Sequence, residues 1–229
     1  MKNLVAFALI LFVGISLNAQ KREIEIGDFT KISFATSGTM YITQGNENKV
    51  VIDASDEAME RLVVEGSGSR LIIRTKSGSW NWKNWDGGNI TAHVTVKRLE
   101  DLDVSGSGVV IGKGKFDSGD MDLSVSGSGS MELDVDADAV DIDISGSGKV
   151  NLGGSADSAK ASISGSGKVK AEDFVVNSFR ARISGSGSCY ITANEEIDAD
   201  ISGSGSVYYK GSPRKLNSHS SGSGGIKKM

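Results

Sequence analysis

Between Asp101 and Ile226 apolar and polar residues alternate in short stretches, and the alternation restarts with each recurrence of the tetrapeptide Ser-Gly-Ser-Gly. The quartet begins at Ser105, Ser126, Ser145, Ser164, Ser184, Ser202 and Ser221, in steps of 21, 19, 19, 20, 18 and 19 residues. One residue before it stand Val104, Val125, Ile144, Ile163, Ile183, Ile201 and Ser220. Three before stand Leu102, Leu123, Ile142, Ala161, Ala181, Ala199 and Ser218; two after stand Val110, Met131, Val150, Val169, Cys189, Val207 and Ile226. Polar residues fill most of the places between these columns. A period of two is the mark of a half-buried strand, and no helical spacing competes with it.

A fixed repeat of about 19 residues that is strand-like throughout predicts stacked coils, each with two or three short strands pairing in parallel with their counterparts about 4.8 Å above and below. The expected fold is all-β, a parallel β-helix or flattened roll. A left-handed hexapeptide helix fits less well, because no six-residue subperiod is visible.

Counting by twos from the apolar columns puts both glycines of the quartet inside, Gly106 and Gly108, Gly127 and Gly129, Gly146 and Gly148, Gly165 and Gly167, Gly185 and Gly187, Gly203 and Gly205. Either the interior is too narrow there for a side chain or a corner needs positive φ, and the sequence leaves both open. The last unit, "NSHSSGSGGIKKM", replaces two apolar columns with serine and adds Lys227 and Lys228, as a polar cap over an open edge would. Upstream, Ile24 to Leu99 is strand-like but less regular; Gly66-Ser67-Gly68 reads as a degenerate forerunner of the quartet, "SDEAMERL" as one helical turn, and Ser77 to Gly88 as a loop. The division expected is residues 1–19, 20–100 and 101–229.

The first of these segments has Lys2 followed by the apolar run Leu4 to Leu17 and then Asn18-Ala19-Gln20, the layout of a secretory signal peptide with Ala19 the last residue removed. The run is short for a membrane anchor, which needs roughly 18 apolar residues or more. Export to the periplasm or medium is therefore expected, with no transmembrane segment in the mature chain. No translocating barrel or sorting domain follows the repeats, so stable surface display is the less favoured outcome. Loss of Lys2 leaves 24 basic against 29 acidic residues, and the formal net charge moves from −4 to −5. That balance argues against a nucleic-acid partner. The single cysteine, Cys189, excludes an internal disulfide, and its place between Val169 and Val207 makes it a small buried hydrophobe. Two separated histidines, His93 and His219, do not make a metal cluster, and no cofactor is implied.

The segments "TMYITQGNENKVVIDA" (Thr39 to Ala54), "RLEDLDVSGSG" (Arg98 to Gly108), the SGSG-punctuated units and "YYKGSPRKLNSHSSGSGGI" (Tyr208 to Ile226) together resemble the head GIN domain family of Bacteroidota, described as an autotransporter adhesin. The resemblance covers nearly the whole chain after residue 19. It implies an exported, right-handed β-helical domain of the cell envelope with no established catalytic residues. The chain departs from the family at Lys97, where a proline is usual shortly before the leucine, here Leu99.

Four groups of residues are candidates for chemistry. The loop "SWNWKNW" holds Trp80, Trp82 and Trp85, rings that can stack on sugars or partner side chains, or can fold back as a cap over an open end; the cost of exposing three indoles favours the cap. Outward columns stack Asp101, Asp103, Asp122, Asp141 and Asp143 over Lys160, Arg180 and Arg182. Such acids at coil spacing suit Ca²⁺ or a glycosidase pair in distance, yet the quartets lack the turn aspartate of a calcium roll and no insertion walls a cleft, so a solvated face is expected. Outward serines form a hydroxyl grid, for which inter-coil hydrogen bonding is a plainer use than ice binding. Tyr190 and Tyr208, three after the quartet on adjacent coils, should stack. The expected function is a non-enzymatic adhesin or envelope interaction module whose partner is a glycan or other cell-surface component, with a carbohydrate-active β-helix or a purely structural module as alternatives.

Overall fold

β-branched and aliphatic residues at every second position favour a pleated surface with one face buried, and that is how they are used. The computed structural model describes residues 20–76 and 90–229. It is a β-solenoid of about seven turns with coils of about 19 residues. Five long strands make its regular part: β9 (Val109–Gly127), β10 (Ser130–Gly146), β11 (Lys149–Gly165), β12 (Lys168–Gly185) and β13 (Ser188–Gly203). Each starts just after one quartet, bends around the coil and ends at the first glycine of the next. All pair in parallel, and the register shifts at bulges such as Asn151/Gly153 but is kept through the segment that enters the corner, so that Ile144 lies between Val125 and Ile163, and Ser145 between Ser126 and Ser164.

Every apolar column faces inward and is buried from Leu102 to Ala199, from Val104 to Ile201 and from Val110 to Val207. A further inward row is Met121, Val140, Ala159, Phe179 and Ile197, in which a small residue lies beside a large one on the next coil. Alternation of volume between coils fills the narrow interior at close packing.

The corner differs from the expectation that both glycines point inward. The first glycine has positive φ, from +90° at Gly106 to +133° at Gly222, and is exposed or half-buried. The second, Gly108 through Gly205, is buried. Positive φ at the first glycine interrupts the two-residue alternation, which is why counting by twos fails across the corner. Each glycine therefore realises one of the two explanations left open. A Cβ on Gly165 would stand 2.6 Å from the Gly146 carbonyl oxygen, whereas one on Gly187 would stand 2.5 Å from Cγ2 of the inward Ile163. Amide donation continues through the bend, with Ser166 N–H on the Gly146 oxygen at 2.8 Å and Lys168 N–H on the Gly148 oxygen at 2.9 Å. The two serines of a quartet consequently stand on either side of a corner, so they do not form one flat hydroxyl grid.

The amino-terminal part stacks out of sequence order. Its strands are β1 (Gln20–Ile24), β2 (Lys31–Ala35), β3 (Thr39–Gln44), β4 (Lys49–Ala54), β5 (Leu62–Ser67), β6 (Arg70–Thr75), β7 (Thr91–Val96) and β8 (Asp101–Gly106). β2 lies between β6 and β8, and β3 between β7 and β9, so the coil formed by β2 and β3 is inserted between two later ones. Its corner is Thr36-Ser37-Gly38, in register with the quartet at Ser105. Gly66-Ser67-Gly68, by contrast, belongs to an antiparallel hairpin of β5 and β6 and is not a forerunner of the corner. Antiparallel β4 and β1 close the other side of that end.

The helix α1 (Asp56–Arg61) is the predicted single turn, capped where Ser55 accepts the Ala58 N–H at 3.3 Å. Lys97 donates its backbone N–H to Asn48 Oδ1 at 2.9 Å, a bond that the family's proline would lack. At the far end β14 (Ser206–Lys210), β15 (Lys215–Ser221) and β16 (Gly225–Lys228) form the final coil. β15 is exposed along its length and sets Ser218 and Ser220 over the Ala199 and Ile201 columns, as a polar cap requires.

Candidate functional site

In the strand segment that enters each corner, the residue two before the quartet and its first serine both point outward, flanking an inward aliphatic side chain. Stacked over six coils, these two rows line a groove of about 640 Å³. One row runs Ser124, Asp143, Ser162, Arg182, Asp200 and His219; the other is the first serine of each corner, from Ser126 to Ser221. At the coil rise the groove is about 24 Å long. Asp143, Arg182 and Asp200 are exposed, and no ion pair joins them to another described residue. The groove thus carries hydroxyls at a regular interval and charges of both signs at its border, while most of its exposed lining, with the row Val125 to Ile201 between the serine-bearing rows, is apolar.

The acidic column beside it is largely neutralised. Asp101 receives both terminal nitrogens of Arg70, at 2.7 and 2.9 Å, Lys160 pairs with Asp141 at 3.3 Å, and Arg180 pairs with Asp198 at 3.3 Å. Ser33 and Ser124 each donate to Asp103 at 2.9 Å. Asp122 is the exception. Partial burial, and then the carboxylates of Asp101 and Asp141, push its pKa above the usual carboxylate value. A carboxyl whose pKa is higher folded than unfolded stabilises the fold below its unfolded pKa and loses that contribution as pH rises through the folded value. Asp122→Asn is therefore expected to raise the melting temperature at pH 7 relative to wild type, by on the order of 1 °C for so exposed a group, with the difference shrinking as pH falls below that of carboxylate titration. A thermal melt series across acid pH checks it; a lower melting temperature at pH 7 would contradict it. Among the described residues no cluster of three or more metal-ligating side chains is present.

The outward row three after the quartet stacks Tyr190 on Tyr208, with ring centroids 4.8 Å apart and planes 12° from parallel. Lys168 and Lys227 lie over the two outer faces at 5.9 and 5.7 Å from the centroids. The same row carries a second pair that sequence reasoning missed, Tyr41 stacked on His93 at 5.5 Å with Lys113 4.8 Å over the tyrosine ring. His93 and Tyr41 are neighbours only because β3 and β7 pair out of sequence order, so no spacing announced them. Cys189 is fully buried, and desolvation, with a smaller contribution from Glu172, pushes its thiol well above the ordinary range. It is therefore no nucleophile at neutral pH.

Trp80, Trp82 and Trp85 lie outside the described residues. The chain leaves at Lys76 and returns at Ile90, where the other coils make their corner: Thr75 Oγ1 is 2.9 Å from Thr36 Oγ1, and the Ile90 oxygen accepts from Thr39 N–H at 2.9 Å.

Residues 28–213 match the family described as "Putative auto-transporter adhesin, head GIN domain". The chain belongs to the head GIN domain family. Its fold recurs in solved structures. A Bacteroides fragilis protein described as a "putative adhesin" is similar at a TM-score of 0.83 and 24% identity, covering 93% of this chain and 98% of that one. A Parabacteroides distasonis protein described as a "putative lipid binding protein" is similar at 0.72 and 27%, covering 93% and 97%. A Parabacteroides merdae "putative adhesin" is similar at 0.69 and 20%, covering 92% and 95%. No curated protein matches the chain. Among the described residues no helix is long and apolar enough to cross a membrane.

Proposed function

We propose that this head GIN domain protein is an exported, non-enzymatic, adhesin-like module of the cell envelope that holds a neutral surface glycan along its serine groove. The observation that carries this reading is the groove itself, a lengthwise channel whose two rows repeat at the coil rise. A repeating surface engages a repeating polymer at many weak points at once, and the summed contacts retain it without any deep pocket. Adhesion as the role is supported by the family's description and by the adhesin names of the neighbouring structures. The lipid-binding name of one neighbour supports the broader statement that the partner is a cell-surface component.

A glycan-cleaving reading draws on Asp122, whose raised pKa suits a general acid beside Asp101 or Asp141. Against it, Asp101 and Asp141 are held by Arg70 and Lys160, and Asp122 does not line the groove. Binding is therefore the better-supported activity.

Ser164 and Ser184 are exposed and face the groove, so bulk added there obstructs the channel without entering the core. Ser164→Tyr/Ser184→Tyr is expected to keep the wild-type melting temperature within a degree or so and to lose retention on a panel of immobilised neutral glycans about tenfold or more. Undiminished retention by the folded double variant would place the partner elsewhere.

A further inference from the structure

We infer that the face just past the corner, on coils β11 to β16, is a second site, specific for an acidic polysaccharide bearing carboxylate groups. This site does not rest on the groove. On that face two rows read Lys149, Lys168, Ser188, Ser206, Gly225 and Asn151, Lys170, Tyr190, Tyr208, Lys227, with Ser206 buried. Lys210 follows Tyr208 on the same side of its strand. No acid interrupts these rows over five coils, a length of about 19 Å, in a protein whose formal charge is −4. The bordering acids are Glu132, one coil before Lys149's neighbour Asn151, and Glu172 and Asp173 at the next bend after Lys170.

None of these five lysines has an ion pair among the described residues, where the ion-paired lysines are Lys49, Lys97, Lys115, Lys160 and Lys215. On this face two of the lysines, Lys168 and Lys227, lie beside tyrosine rings rather than acids. The ring separation of 4.8 Å equals the coil rise, so the rings turn their faces to each other and to Lys168 and Lys227, and present hydroxyl-bearing edges to solvent. Sugar faces have no ring face to stack on. What is offered instead is a row of ammonium groups with phenol hydroxyls between them, the donors that carboxylate and hydroxyl oxygens accept.

The length of the rows selects a polymer over a small anion, and the charge density selects among polymers. Duplex DNA carries one charge per roughly 1.7 Å, far closer than lysines set at the coil rise of about 4.8 Å. A uronic-acid chain, with one carboxylate per one or two sugars, spaces its charges at a length comparable to the lysine rows. A bilayer surface would call for an apolar wedge, whereas the large exposed hydrophobic side chains among the described residues, Val175, Leu216 and Met229, are single and separated.

Binding of the purified protein to immobilised polygalacturonate tests the inference, with dextran, duplex DNA and phosphatidylglycerol vesicles measured alongside. Retention on polygalacturonate is expected to exceed that on the other three and to weaken as salt rises from low to physiological strength. Lys168→Gln/Lys170→Gln/Lys227→Gln should weaken it about tenfold or more, and Tyr190→Phe/Tyr208→Phe, which keeps the stack, about threefold. Lys160→Gln on the other face and the groove variant Ser164→Tyr/Ser184→Tyr should bind as wild type. Equal binding by the triple lysine variant, equal loss in Lys160→Gln or in the groove variant, tighter binding to DNA or vesicles, or no retention at low salt would each overturn it.

Discussion

Gly165→Ala is expected to lower the melting temperature by about 5–20 °C, while Gly119→Ala leaves it nearly unchanged. The two substitutions add the same methyl group to coils of one solenoid that stand two apart. At Gly165 the backbone has φ +115°, and the new Cβ would stand 2.6 Å from the Gly146 carbonyl oxygen. Moving it away means opening the corner, where that oxygen accepts the Ser166 N–H and the Gly165 oxygen accepts the Ser186 N–H at 2.9 Å. Strain and overpacking together cost about 2–6 kcal/mol. At Gly119 the nearest atom would be Asp138 Oδ2 at 3.6 Å, an ordinary contact. Paired thermal melts decide it; an equal effect at both sites would mean that the corner tolerates a side chain and that repetition of the quartet has another cause.

Phe179→Ala has the second large effect. The ring is 2% exposed and stands in register between Ala159 and Ile197. Its neighbour toward the amino terminus is small, and Ala161 and Ala181 line the adjacent column, so the void has few long side chains to fill it. A loss of about 3–5 kcal/mol is expected. Because each coil contacts only its neighbours, the loss should not be shared evenly. Amide exchange is expected to rise first in β13 to β16, the coils between the void and the carboxy-terminal end. Uniform exchange along the whole stack would show instead that the solenoid opens as one cooperative unit.

Much of this was open to reading from the sequence, because a solenoid writes the same spatial position at a fixed interval. The columns through Val104, Leu102 and Val110 gave strand direction, inward face and register at once, and the stacking of Tyr190 on Tyr208 followed from their place in a column. The corner defeated the same logic. Two-residue alternation presupposes extended backbone, and Gly106 and its equivalents leave it through positive φ. The swapped order of β2 and β6 was equally hidden, since parallel pairing between coils leaves no local trace of which coil lies next to which. For that reason Tyr41, His93 and Lys113 went unnoticed as a group. The groove is half legible: alternation makes its rows outward, but only the bend of the strands into the corner makes them border one channel.

Retention of the purified protein on a panel of neutral cell-surface glycans, with release of new sugar ends recorded from the same samples, tests most directly whether the solenoid binds without cleaving. Retention with no new ends, abolished by Ser164→Tyr/Ser184→Tyr, is the predicted result. Release of sugar ends that depends on Asp122 would contradict it and make the acidic column a catalytic one.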